Sequence, residues 1–181
     1  MVIDEELIKK CLKNEPTAQK ELYKLLGGKL FAICLRYTKD RTEAEDWLQE
    51  SFIKIFTCLE SFKFEGSFEG WAKRVTVNLI LSDLRKKKNI RFSEELDEND
   101  LITDESAHST IGHQELIYFI SLLPAGKKLI FNLYVIEGFS HKEIAEKLNI
   151  TEGTSRGQLA KAREQLMEIH KKHNSSNAKV S

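Results

Sequence analysis

Residues 140–172 spell two helices separated by a turn so short that the helices must cross. Ser140 with Glu143 three residues on is a capping box and marks a helix start. Ile144, Ala145 and Leu148 then form one apolar stripe, and Asn149-Ile150-Thr151 makes the turn. Thr151 is placed to cap the second helix, whose Leu159, Ala162 and Leu166 point back to the same core. Arg156, Gly157, Ala160 and Lys161 are left on the opposite stripe. Two crossed helices, the second showing small and basic side chains outward, match a DNA major groove.

The rest of the chain also reads as helix. Prolines occur only at 16 and 124, and apolar residues recur at helical spacing almost everywhere. Pro16 suits the first turn of a helix that runs to Tyr37 through Leu22, Leu26, Leu30 and Ile33. Gly27-Gly28 inside it cost roughly 1 kcal/mol each relative to alanine and predict a kink. Thr42 with Glu45 forms a second capping box and predicts a helix over residues 42–62. Ala44, Leu48, Ser51, Phe52, Ile55 and Leu59 point inward in it, which leaves Asp46, Gln49, Glu50 and Ile53 at the surface. A loop follows over 63–70 and a third long helix over 71–88. The fold class is therefore all-α.

Charge divides this helical chain into domains. The total is 28 basic against 28 acidic residues, but their distribution is uneven. Residues 85–91 hold 5 basic groups, and residues 93–105 hold 7 acidic groups with no basic ones. From Lys127 onward, 10 basic groups face 6 acidic ones. This pattern predicts two small helical domains, 1–92 and 114–173, joined by a flexible acidic linker over 93–113, with a disordered tail over 174–181. The three cysteines, Cys11, Cys34 and Cys58, lie far apart in apolar helical patterns and read as buried thiols of a reducing compartment. No residue cluster asks for a metal or another cofactor, and no apolar run is long enough to span a bilayer. There is no glycine-rich phosphate loop, no His-Glu metal motif and no Ser/His pairing, so an enzyme is not expected. A soluble, cytoplasmic protein is.

Phe64, Phe68 and Trp71 straddle the loop just before a helix carrying Arg74 and Asn78. Aromatic rings beside basic groups can stack unpaired bases at about 1–3 kcal/mol each; core packing is the competing assignment. Arg85, Lys86, Lys87, Lys88 and Arg91 are too dense for helix-dipole compensation alone and suit phosphates. Arg156 is a candidate for a bidentate guanine contact, and Thr154, Ser155 and Lys161 are candidates to position phosphates. Asp46, Gln49 and Glu50, at spacings of three and four, form either a solvated face or a docking face.

Three stretches, in order, resemble one family. The first is Ala44-Glu-Asp-Trp-Leu-Gln-Glu-Ser-Phe52, followed by Ile55 and Phe56. The second is Phe68-Glu-Gly-Trp71 with Arg74, Asn78, Asp83 and Leu84-Arg85. The third is the helix-turn-helix with Glu143-Ile-Ala145, Gly153-Thr154 and Lys161-Ala-Arg163. Together they resemble bacterial RNA polymerase sigma factors of the extracytoplasmic-function (ECF) group. The resemblance implies a region 2-like helical bundle that binds core RNA polymerase and melts the −10 element. It also implies a region 4-like helix-turn-helix that reads the −35 element. Asp46, Gln49, Glu50 and Ile53 would meet the β′ coiled coil, and the β flap would be a further contact. Phe64, Phe68, Trp71, Arg74, Asn78, Arg85–Lys88 and Arg91 would serve the −10 DNA. Thr154, Ser155, Arg156, Gly157, Ala160 and Lys161 would serve the −35 DNA. An anti-sigma factor is implied as a further partner, and a small-molecule substrate is not. Ser155-Arg156-Gly157 departs from the Val-Lys-Ser of many members, so the promoter sequence does not carry over. The alternative is a stand-alone helix-turn-helix regulator that binds an operator without polymerase.

Overall fold

The computed structural model describes residues 3–38, 40–87 and 113–177. Among these residues every regular element is helical. The chain divides into two compact units, residues 1–90 and 91–181.

The first unit opens with α1 (Glu5–Leu12), capped by the Asp4 carboxylate, which accepts from Leu7 N at 2.8 Å. Next is α2 (Pro16–Tyr37), with proline in its first turn. It runs unbroken through Gly27 and Gly28, and the expected kink is not a break in the helix. Tertiary packing outweighs the glycine penalty: Leu22, Leu26, Leu30 and Cys34 are all fully buried along this helix. Burial also pushes the Cys34 thiol up to about 11, the inert buried state expected of it.

Helix α3 spans Arg41–Thr57 and a 3₁₀ turn follows at Leu59–Ser61, so the single helix expected over 42–62 ends early. Its cap is also different. The Asp40 carboxylate accepts from Thr42 N at 2.8 Å, which puts Thr42 inside the first turn and unable to cap it. Helix α4 (Phe68–Lys87) starts three residues before the expected Trp71. Ser67 is the reason: its Oγ accepts from Gly70 N at 3.3 Å, and Trp71 N donates to its carbonyl. Helix α2 packs on α3 and α4, and α3 packs on α4. Trp47 is buried between them, and its indole N–H donates to Asp83 Oδ2 at 2.9 Å.

The second unit contains α5 (His113–Ser121), α6 (Ala125–Phe131), a π-helical turn at Asn132–Ile136, α7 (His141–Leu148) and α8 (Glu152–Asn177). Helices α5, α6 and α7 all pack on α8. Residues 174–177, expected in a disordered tail, extend α8 by a turn; residues 178–181 lie outside the described residues, as does the expected acidic linker up to residue 112. The Ser140–Glu143 capping box is present in full, with both reciprocal bonds formed. Asn149, at φ 54°, turns the chain between α7 and α8. Ser140→Ala removes the hydroxyl that accepts from Glu143 N. It is expected to cost about 1 kcal/mol, read as a lower midpoint for the second unit in thermal or urea unfolding.

Candidate nucleic-acid interface

Helix α3 is two-sided. Trp47, Leu48, Ser51, Phe52 and Ile55 are buried, while Asp46, Gln49 and Glu50 are exposed. Ile53 stands among them at 64% exposure, a large apolar side chain left mostly in solvent. This face of α3 thus carries two carboxylates, an amide and one exposed isoleucine side by side.

The loop between α3 and α4 is shaped by two left-handed residues, Phe64 at φ 59° and Gly66 at φ 86°. Phe62, buried at its start, gathers the neighbouring rings: Phe64 at 5.1 Å, Phe68 at 5.1 Å edge-on, and Trp71 at 5.5 Å. Phe68 is only 5% exposed. This corrects its expected role, because a ring that closes the core at the start of α4 has no free face for a base. Phe64 remains 40% exposed and Trp71 is half-buried. Beyond them Arg74, Asn78 and Arg85 are exposed and lie close to one line along α4. Lys86 is exposed beside Arg85, and Lys87 ends the helix. Lys88 and Arg91 lie outside the described residues.

Near this loop is a charge cluster with only a partial sequence signal. Glu69 accepts from Lys29 of α2 through one carboxylate oxygen and from Lys73 through the other, the latter at 2.8 Å. These two hydrogen bonds hold the Glu69 carboxyl below the usual carboxylate range. The Glu69–Lys73 half follows an i,i+4 pattern, but nothing local in the chain marks Lys29.

On α8, Thr154 N donates to Thr151 Oγ1 at 3.0 Å, so Thr151 caps the helix as expected and Thr154 is half-buried against it. Ser155 is fully buried, its hydroxyl 2.9 Å from His141 Nδ1. The expected phosphate contact by Ser155 is therefore corrected: the first turn of α8 rotates this residue into the seam with α7. Arg156, Gly157, Ala160 and Lys161 are exposed. A Cβ added at Gly157 would meet nothing within 4 Å, so this stretch of backbone is bare. Arg156 Nη2 donates to Glu152 Oε2 at 3.0 Å, an i,i+4 partner one turn back that the charge pattern allows but does not single out.

The sigma-70 region 2 family matches residues 22–90, and the sigma-70 region 4 family matches residues 113–166. The chain belongs to the ECF sigma factors. It is 29% identical over 164 residues to the ECF RNA polymerase sigma factor SigE of Mycolicibacterium smegmatis, covering 87% of this chain and 63% of that one. It is 26% identical to SigW of Bacillus subtilis, covering 88% of this chain and 92% of that one. Among solved structures, the sigma factor RpoE of Bartonella quintana, crystallised with the anti-sigma factor NepR, superposes with a TM-score of 0.53 at 21% identity, covering 84% of this chain and 96% of that one. CnrH in complex with the cytosolic domain of CnrY gives 0.51 at 17% identity, covering 93% and 97%. Sigma factors are not an enzyme family, and no helix among the described residues is long and apolar enough to cross a membrane.

The burial of His141 beside Ser155 predicts a pH dependence for the second unit. Burial lowers the His141 pKa from its ordinary 6.5, and the cations Arg156 and Arg163 lower it further against the opposing Glu152. The ring also stacks on Tyr134 at 4.3 Å. The unfolded chain therefore takes up this proton at a higher pH than the folded one. Stability tied to the neutral ring is complete above pH 6.5 and is lost as pH falls through the lowered value. Thermal unfolding of the second unit is expected at a lower temperature at acid pH, and His141→Asn should flatten that part of the profile.

Proposed function

We propose that this protein is the initiation subunit that brings core RNA polymerase to particular promoters and opens them. One observation carries the reading most directly. The chain presents two partner faces in the order of regions 2 and 4, an acid-amide face on α3 and a small, basic face on α8, each anchored from behind by a buried stripe. Asp46, Gln49, Glu50 and Ile53 meet the β′ coiled coil, and the second unit meets the β flap. Phe64, with part of Trp71, stacks bases of the melted −10 strand. Arg74 and Asn78 flank that strand, and the basic run from Arg85 contacts the adjoining phosphates. Arg156 reads a guanine of the −35 element, while Gly157 and Ala160 let the helix approach closely and Lys161 contacts a phosphate. The polymerase performs the nucleotidyl transfer; this chain contributes no catalytic residue and needs no cofactor. An anti-sigma factor and a cytoplasmic location complete the proposal.

A stand-alone operator binder is not favoured, because such a protein has no use for a region 2 body with an exposed acid-amide face. In-vitro transcription with core polymerase and a promoter library tests the reading; absence of any transcript would overturn it. Two variants then separate the faces. Gln49→Ala with Glu50→Ala is expected to weaken core binding by about tenfold or more while sparing duplex binding. Arg156→Ala should do the reverse, removing about 1–3 kcal/mol of discrimination at one −35 base pair, measured by competition between base-substituted duplexes.

A further inference from the structure

Phe64 can meet a displaced base only if the loop that carries it keeps its shape. That loop has little regular hydrogen bonding of its own, and it holds two left-handed residues within three positions. One end is fixed by the Phe62 ring cluster. The other end runs into the first turn of α4, where Glu69 bonds to Lys29 and Lys73. Both oxygens of this carboxylate are engaged, by ammonium groups from two different helices, and only 28% of its side chain is exposed. Lys29 lies 40 residues away in the chain, so this contact ties α2 to the root of the loop. Lys29 and Glu69 also help line a groove of about 540 Å³, together with Phe62, Phe64 and Phe68. A carboxylate among these groups is a poor neighbour for phosphate, so the cluster is not itself a backbone-binding site.

We propose that Glu69, held by Lys29 and Lys73, is a positioning residue that sets the shape of loop 62–67 and thereby the base accepted at one position of the −10 element. It acts through Phe64 and does not touch the DNA. This inference rests on the reading of the first unit as the strand-capturing body. The fold does not depend on the tie, since α2 and α4 pack on each other and both carry fully buried apolar side chains, Leu22 and Leu26 on one and Val77 and Ile80 on the other. Breaking the tie leaves a folded protein with a looser loop.

The test uses the full chain assembled with core polymerase on duplex templates whose −10 element is randomised, with transcripts sequenced. Glu69→Gln and Lys29→Met are expected to lower transcription from the preferred templates by about three- to fivefold and to flatten base preference at one position. The double exchange Lys29→Glu with Glu69→Lys lets a carboxylate from α2 meet cations of α4, and should recover output to within about twofold. Variant output and base profile identical to the parent would overturn the proposal. So would an equal loss at every base that the double exchange does not recover, since that is general destabilisation. If the parent chain itself yields no transcript from any template, the sigma-factor reading fails and this inference falls with it.

Discussion

The period of the α-helix is the constraint on which the rest depends. A helix of 3.6 residues per turn can commit one stripe to the core and offer the opposite stripe to a partner. In α3, Trp47, Leu48, Phe52 and Ile55 are buried, and the positions between them hold Gln49, Glu50 and Ile53 outside. In α8, Leu159 and Ala162 are buried while Gly157, Ala160 and Lys161 face out. Neither helix would be stable or correctly aimed as an isolated peptide, because most helical stability comes from the packed stripe. In the proposed reading, recognition is thus a by-product of burial: the exposed face is aimed by the core face behind it. Trp47 extends the same logic between helices, since its buried ring and its bond to Asp83 fix α3 against α4.

That periodicity is also why much of the architecture can be read from the chain. The helix-turn-helix, its capping box and the exposed stripe of α8 follow from residue types at fixed offsets. So does the buried stripe of α2, strong enough to carry a helix through Gly27-Gly28. Helix ends are less legible. Thr42 and Asp40 are both good caps, and the choice depends on where the chain enters from Thr38, whose hydroxyl accepts from Asp40 N at 3.0 Å. Ser67 starts α4 early through its bonds to Gly70 N and Trp71 N, and Phe68 in that first turn joins the ring cluster around Phe62. The two misassigned site residues, Phe68 and Ser155, both lie in the first turn of a helix. A shift of one residue there rotates a side chain by about 100°, from groove to core. Lys29 and Glu69 show the other limit, since their pairing is purely tertiary.

A neutral chain that binds DNA must place its cations with care. Arg156 pairs with Glu152, Lys29 and Lys73 share Glu69, and Arg41 pairs with Glu45 at 2.9 Å. Exposed pairs of this kind add little to folding. They have a larger consequence for binding, because a phosphate approaching Arg156 must compete with a carboxylate already beside it. That competition penalises every sequence alike, and it removes much of the non-specific attraction a bare arginine would supply. In the proposed reading of a guanine by Arg156 the same ion pair must give way, so only a site offering two well-aimed acceptors repays its loss. Discrimination depends on the difference between right and wrong sites, and lowering the affinity common to both lets a small base-specific advantage decide.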